Sequence, residues 1–358
     1  MGRATLSRLL ETPHAGMTYE ESGVSIETGD LAIERIAAAV NSTKRPGVIG
    51  GIGGFSGLFE VDRARYTNPV LVASADGVGT KLEVARLVDR YDTIGIDLVA
   101  MLVDDLACLG AEPLFLLDYV AVGKLDPVRL EAVVSGIAEG CRQCGAALLG
   151  GETAEHGGVM RHDDLDVAGF AVGVVERGDE LGPHRVREGD AIIGFGSPGL
   201  RSNGYSLARR ALIAREEDLD EPAYEGASTT LADELLRPSV IYSPAIQALR
   251  GDLAGAIHAA AHITGGGILG NVARVLPDTL DAVIDMSSFE TPEIFFEIQR
   301  RGRVAASEMV RVFNCGLGMI VCVDQDAADA AVSIARLAGR EATIVGHVQS
   351  GAKKVTLL

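Results

Sequence analysis

The chain reads as two domains of the α/β (α+β) class, and three observations predict this. Its 358 residues exceed one ordinary domain, at roughly 150 residues each. Its first half alternates apolar strand runs with amphipathic helices. Between residues 176 and 189 the pattern breaks into "ERGDELGPHRVREG", with three glycines, a proline and seven charges. That stretch is the expected boundary between a domain over 1–176 and a second over 177–358.

In the first half the periodicity predicts helices at 29–43, 80–91, 93–110 and 126–145, and strands at 68–75, 114–122, 146–150 and 167–175. The helix near Pro127 is well punctuated, with Asp126 as N-cap, proline in its first turn and Gly145 at its end. The second half predicts strands near 190–196, 256–263, 280–286, 316–324 and 342–349, with helices between them. Residues 216–230, "EEDLDEPAYEGASTT", read as a polar excursion.

Hydrophobic residues make up 47% and charged residues 23%, enough apolar material for sizeable cores. With no Trp and 4% aromatics, the cores are packed with Ala, Val, Leu and Ile. A net charge of −18 repels phosphate backbones, which argues against a nucleic-acid partner. No apolar run is long enough to span a bilayer, and the start lacks a long apolar leader. Five cysteines, an odd count, suit a reduced compartment, so a cytoplasmic location is expected.

The most informative stretch is "TIGIDLVAMLVDDLACLG", residues 93–110. On a helical wheel Ile94, Leu98, Met101, Leu102, Leu106 and Leu109 form one apolar stripe, with Asp105 inside it, Asp97 at its edge and Asp104 well off it. A carboxylate on a buried stripe must be paired or hold a cation. The competing reading is that Asp105 caps a neighbouring helix or meets an arginine; Asp104 reads as a solvated charge. Asp105 has company: Asp76 ends a strand, Asp92 starts this helix, and "LLGGETAEH" brings Glu152 and Glu155. Carboxylates at strand ends tend to converge on one sheet edge, and oxygen-only ligands favour Mg²⁺. In "ADGVGTKL", Asp76 can hold that cation, while the turn Gly77-Val78-Gly79-Thr80-Lys81 offers amides and an ammonium to phosphate.

"GVIGGIGGFSGLF" packs Gly47, Gly50, Gly51, Gly53, Gly54 and Gly57 together, which fits a flap or phosphate cradle better than a purely structural loop. In "HITGGGILGN", Gly265, Gly267 and Gly270 match the dinucleotide pattern, but no acid lies at the end of a second strand. Thr264–Gly267 is therefore read as an anion-binding strand-to-helix turn preceded by His262. Cys141 and Cys144 extend the apolar stripe of their helix and read as core. Neither a Walker A loop nor a Gly-x-Ser-x-Gly elbow is present.

Taken in order, "ADGVGTKL", "GIDLVAMLVDDL", "GAEPLFLLDY", "GGETAE", "SNGYSL" and "HITGGG" closely resemble the phosphoribosylformylglycinamidine cyclo-ligases, or aminoimidazole ribonucleotide synthetases. The likeness runs from Tyr19 to the C-terminus. It implies an enzyme of purine biosynthesis that uses ATP and Mg²⁺ to close the imidazole ring of a phosphorylated small-molecule substrate, releasing ADP and phosphate. A homodimer joined through its N-terminal domains is implied as well, with the nucleotide near that interface. Carried onto this chain, the motifs make Asp76, Asp105 and Glu152 metal ligands, with Asp92 a weaker fourth. Gly50, Gly51, Gly53, Gly54, Gly77, Gly79, Thr80 and Lys81 would meet phosphate, and Lys81 would serve the chemistry. Asn203, Thr264, Gly265 and Gly266 would line the substrate cleft, with His262 a proton-transfer group. Two departures stand out: Ala37 replaces a frequent lysine, and His156-Gly157-Gly158 replaces a usual Met-Pro-Gly, which clouds the role of Glu155. The alternatives are a thiamine monophosphate kinase-like enzyme of the same superfamily and a non-catalytic ATP-binding protein. Selenophosphate synthetases expect a reactive residue near the glycine loop, and the first cysteine here is Cys108. Hydrogenase-maturation relatives expect a C-terminal cysteine, which "KKVTLL" lacks.

Overall fold

The computed structural model describes residues 25–51 and 53–358. Its first half begins with α1 (Ile26–Asn41), a short hairpin of β1 (Val48–Ile49) and β2 (Leu58–Phe59), then β3 (Pro69–Gly77), α2 (Lys81–Leu87) and α3 (Ile94–Cys108). It continues with β4 (Glu112–Val122), α4 (Pro127–Cys144), β5 (Ala147–Glu155) and β6 (Leu165–Glu176). The four long strands form one sheet in the order β3-β6-β4-β5, antiparallel except for the β4–β5 pair.

Helices α3 and α4 cover one face of this sheet, and glycines set how closely they approach. A Cβ on Gly95 of α3 would sit 2.2 Å from the backbone nitrogen of Ile137 on α4, and one on Gly140 would sit 2.7 Å from Val99. Gly169 of β6 likewise admits Leu102 of α3. The Asp126 carboxylate caps α4 through Val128 N (2.9 Å) and Arg129 N (3.3 Å), and Gly145 ends it at φ 71°. The other face of the sheet is open: Leu71, Phe170 and Tyr119 stand 62%, 43% and 42% exposed.

The second half contains β7 (Ala191–Gly196), α5 (Tyr205–Leu212), α6 (Leu231–Leu235), α7 (Ser243–Leu253), β8 (Ile257–His262), α8 (Gly267–Arg274) and β9 (Leu280–Ile284). After these come α9 (Glu293–Gly302), α10 (Ala306–Val312), β10 (Leu317–Val323), α11 (Ala328–Leu337), β11 (Ala342–Ser350) and β12 (Val355–Leu357). Six strands pair in the order β12-β9-β11-β7-β10-β8, antiparallel but for β12–β9. Ile193, Val321 and Val323 of this sheet pack with Ile246 and Leu249 of α7 and with Ala331 and Ala335 of α11.

Helix α3 also packs on β8 and α7, so both halves of the molecule cover it and only one narrow strip meets solvent. Several boundaries differ from the sequence reading by a few residues, among them the helix expected at 80–91, which ends at Leu87. Strand β5 continues through the glycine pair to Glu155, which places Glu152 inside a strand rather than beyond its end. The short β12 carries too little apolar pattern to be read as a strand. Among the described residues no helix is long and apolar enough to cross a membrane.

Candidate active site between the domains

Two acids of α3 join the domains. Asp97 and Asp104, two helical turns apart, are both completely buried. Asp97 accepts from Ser239 N (2.9 Å) and Ser239 Oγ (2.5 Å) and pairs at 2.6 Å with Lys81 Nζ. Asp104 accepts from Tyr242 N (2.8 Å) and Ser243 N (2.9 Å), which caps the start of α7, and pairs at 2.8 Å with Arg201. Lys81 has no exposed atom; its ammonium also donates to the carbonyl of Arg237 at 2.7 Å. The phosphate contact and catalytic part expected of Lys81 therefore do not fit its position. It neutralises a buried carboxylate, and burial is the main cause holding its pKa below the ordinary lysine value.

Asp105 and Asp104 exchange the environments read from the helical wheel. Asp104, expected in solvent, makes the helix cap and arginine pair that the competing reading gave to Asp105. Asp105 is the exposed one, its side chain 47% accessible. It remains on the stripe of Leu98 and Leu102, but at its position that stripe reaches the outer strand β3, where Ser74 Oγ lies 3.4 Å from its Oδ2.

Around Asp105 a chain of polar groups crosses the domain junction. Its Oδ1 lies 2.9 Å from Nδ1 of His262, at the end of β8, and His262 Nε2 lies 2.9 Å from Arg201. Guanidinium groups only donate, so Nε2 is the acceptor and Nδ1 carries the proton given to Asp105. Both ring nitrogens are thus occupied, and the ring holds Asp105 in place; a free basic nitrogen, as proton transfer by His262 requires, is absent here. Arg201 itself adopts φ 65° and is buried, a strained backbone of the sort that clusters at functional sites. Asp76, exposed at the end of β3, accepts from Gly77 N at 2.7 Å. Partial burial, and secondarily the charge of Asp105, hold its pKa above the usual carboxylate value. A neighbouring pair of carboxylates of this kind suits a hard divalent cation, and oxygen donors suit Mg²⁺.

Other expected residues border the same junction. Thr80 Oγ1 meets Ser206 Oγ across the domains at 3.1 Å, beside Gly77 and Gly79. Asn203 Oδ1 is buried without a hydrogen-bond partner. Next to His262, Gly265 and Gly266 are exposed, and Asn271 Nδ2 ties their turn through the carbonyls of Thr264 (3.2 Å) and Gly265 (3.3 Å).

Three expected contributors do not converge with this group in one chain. Asp92 precedes α3 at the end opposite Asp105, about 20 Å away at the α-helical rise, so it cannot share a cation with Asp105. Glu152 pairs in register with Tyr119 and shares its open sheet face, three strands or roughly 14 Å across the sheet from Asp76. Gly50, Gly51, Gly53 and Gly54 are exposed in the β1–β2 loop, whose Gly57 abuts Leu149 of β5. Apart from Asp92 and the buried Lys81, the expected site residues thus fall into two groups, one at the β3 edge and one at the β5 edge.

Sequence reasoning missed Asp118, in the quoted "LLDY". It lies in register with Gly169 and Gly151, and only a glycine at 151 leaves room for it, because a Cβ there would overlap its Oδ1. Burial pushes its carboxyl up to about 7. Cys141 is buried in the core, as the stripe of α4 implied, Cys144 is partly buried, and all five cysteines are free. A separate cavity of about 900 Å³ lies in the C-terminal half, lined in part by Ser197, Tyr224, Arg237 and Arg340.

Comparison with known proteins is consistent with this architecture. Residues 61–175 match the AIR synthase related protein, N-terminal domain, and residues 187–357 match the C-terminal domain of the same description. Thiamine-monophosphate kinase from Stenotrophomonas maltophilia is 24% identical over 91% of this chain and 95% of its own, with a TM-score of 0.66. Hydrogenase maturation protein HypE in complex with ATP is 17% identical over 92% of this chain and 89% of its own, TM-score 0.61. T. maritima PurL complexed with FGAR is 18% identical over 91% of this chain but 50% of its own, TM-score 0.54. With both of its domains matched in order, the chain belongs to the AIR synthase related family and has that family's two-domain α/β fold.

Proposed function

We propose that this chain is an ATP-dependent enzyme that transfers the γ-phosphoryl group of ATP to a small phosphorylated acceptor in the crevice between its domains. The observation that carries this reading is the pair Asp76 and Asp105, exposed at one junction, with Asp105 held by the buried His262–Arg201 pair. Such carboxylates would hold Mg²⁺, whose chemistry is to neutralise charge on the transferring phosphate. The chain's own groups would then supply position: the backbone amides of Gly79 and Thr80 and the exposed Gly265–Gly266 turn would meet anionic groups.

Two acceptors remain, each favoured by a different observation. The six quoted motifs favour ring closure of formylglycinamidine ribonucleotide. In that reaction the formyl amide oxygen attacks the γ-phosphorus as its bond to ADP breaks. The amidine nitrogen then attacks the same carbon, the C–O bond breaks, phosphate departs and the nitrogen loses a proton. The solved structures lend more support to the second reading, a thiamine monophosphate kinase-like activity, since that kinase aligns over nearly both full lengths. An HypE structure with bound ATP supports nucleotide use under either reading.

The open sheet face, with Leu71, Tyr119 and Phe170, supports a homodimer through the N-terminal domains. In that arrangement Glu152 and the glycine loop would serve a site near the interface. The test is ADP release from Mg-ATP with each acceptor, followed with product identification. Ring-closed product equal to ADP supports the first reading, and thiamine diphosphate equal to ADP the second. No stimulation by either acceptor would refute both.

A further inference from the structure

We propose that the C-terminal domain binds a borderline divalent cation, Zn²⁺ in the first instance, between His258 and Asp324 with Asp190 orienting the histidine. The three residues come from neighbouring strand ends: Asp190 precedes β7, His258 lies in β8, and Asp324 follows β10. Because β10 runs antiparallel to both neighbours, its C-terminal end meets their N-terminal ends. The three side chains each bring one donor atom within 4.8 Å of the others.

The hydrogen bonding decides which atom would ligate. His258 Nδ1 lies 2.7 Å from Asp190 Oδ2, so Nδ1 donates and the lone pair is left on Nε2. That nitrogen belongs to a side chain 1% exposed, has no hydrogen-bond partner, and points at Asp324 Oδ1, 3.6 Å away. This separation is too long for a hydrogen bond. It is close to the ~3.4 Å that separates two tetrahedral ligands each ~2.1 Å from Zn²⁺. A carboxylate on the far nitrogen of a metal-bound imidazole is the usual way that such a ring is oriented. An imidazole donor selects Zn²⁺ and its neighbours over Mg²⁺. Asp324, with 42% of its side chain exposed, gives an entry path and room for water to complete the shell.

Arg187 is the one competing cation described there. Its guanidinium, 66% exposed, lies 3.4 Å from Asp324 Oδ1, and its backbone N–H donates to Asp190 Oδ2 at 2.9 Å. It can neutralise Asp324 but leaves His258 Nε2 unsatisfied, whereas a divalent ion would satisfy both. His258 is four residues from His262 along β8, roughly 13 Å, so this site is separate from the inter-domain crevice.

Titration of the full-length protein with Zn²⁺, in saturating Mg²⁺ without nucleotide, tests the proposal, read by calorimetry and by metal content after gel filtration. One equivalent is expected for the native chain. At least tenfold weaker binding is expected for His258→Gln and for Asp324→Asn, and several-fold tighter binding for Arg187→Gln. Asp324 is partly exposed, so its variant decides the matter if His258→Gln fails to fold. Equal binding by the native chain and Asp324→Asn would overturn the site. Loss of the Zn²⁺ equivalent in Asp105→Asn would also overturn it, by moving the ion to the crevice.

Discussion

Arg201 meets His262 at Nε2, 2.9 Å away, and this contact dictates that the imidazole presents an N–H rather than a lone pair to Asp105. The ring therefore links a buried, always-charged guanidinium to an exposed carboxylate. Its expected contribution is to aim Asp105, and the Asp104–Arg201 pair behind it ties that aim to the domain junction.

Replacement of His262 separates this role from proton transfer. An asparagine amide can reproduce the Nδ1 donor, so His262→Asn should retain a substantial part of Mg-ATP turnover, while His262→Ala should lose most of it through weakened Mg²⁺ dependence. Steady-state rates against Mg²⁺ check this. Equal collapse of both variants at unchanged Mg²⁺ affinity would restore a proton-transfer role.

Lys81 should govern stability before turnover. Lys81→Met leaves Asp97 buried and unpaired, which costs about 3–5 kcal/mol. A urea midpoint measurement should show that loss, and Lys81→Met with Asp97→Leu should recover much of it. A native midpoint with a raised KM for ATP would instead return Lys81 to the phosphate.

Asp118 makes a pH-dependent prediction. Its folded pKa of about 7 exceeds the ~3.9 of an unfolded aspartate. The folded state therefore keeps a proton that the unfolded state releases between these values, and stability falls as pH rises from ~4 to ~7, then levels. At ~1.4 kcal/mol per unit the loss reaches about 4 kcal/mol as an upper bound. Asp118→Asn should flatten this slope and be the more stable protein at pH 8, measured by denaturant unfolding. Parallel slopes in the two proteins would contradict the assignment.

The open sheet face predicts assembly. Leu71→Asp, placed at its most exposed aliphatic position, should convert a dimer to a monomer in light scattering and lower ATP turnover, leaving the monomer folded. A native chain that is monomeric at all concentrations would remove the basis for a site near an interface.

Much of this architecture is legible in the sequence because strand and helix periods are local properties. The caps of α4, Asp126 and Gly145, come from side-chain chemistry within a few residues. The two acids of α3 were exchanged for a non-local reason. A helical wheel assumes one buried face, whereas α3 is covered by both domains and its solvent strip is set by where β3 and β8 end. Lys81 misled similarly: a lysine beside glycines at a helix start suits phosphate, but Asp97 of the next helix lies 2.6 Å from its ammonium, and Arg237 and Ser239 of the opposite domain close over the pair. Arg201 carried a local sign, its place in "RSNGYSL", yet its partners Asp104 and His262 lie 97 and 61 residues away. Glu152 and the glycine loop could not be placed from one chain, since they lie at the far sheet edge from Asp76.

The most direct measurement of the central claim is acceptor-dependent ADP release by the native chain and by Asp105→Asn, across a Mg²⁺ series. The account predicts stimulation by formylglycinamidine ribonucleotide or thiamine monophosphate in the native protein, and a strongly reduced rate with weakened Mg²⁺ dependence in the folded variant. Equal rates and equal Mg²⁺ dependence in the two proteins would contradict a phosphoryl-transfer site built on Asp76 and Asp105.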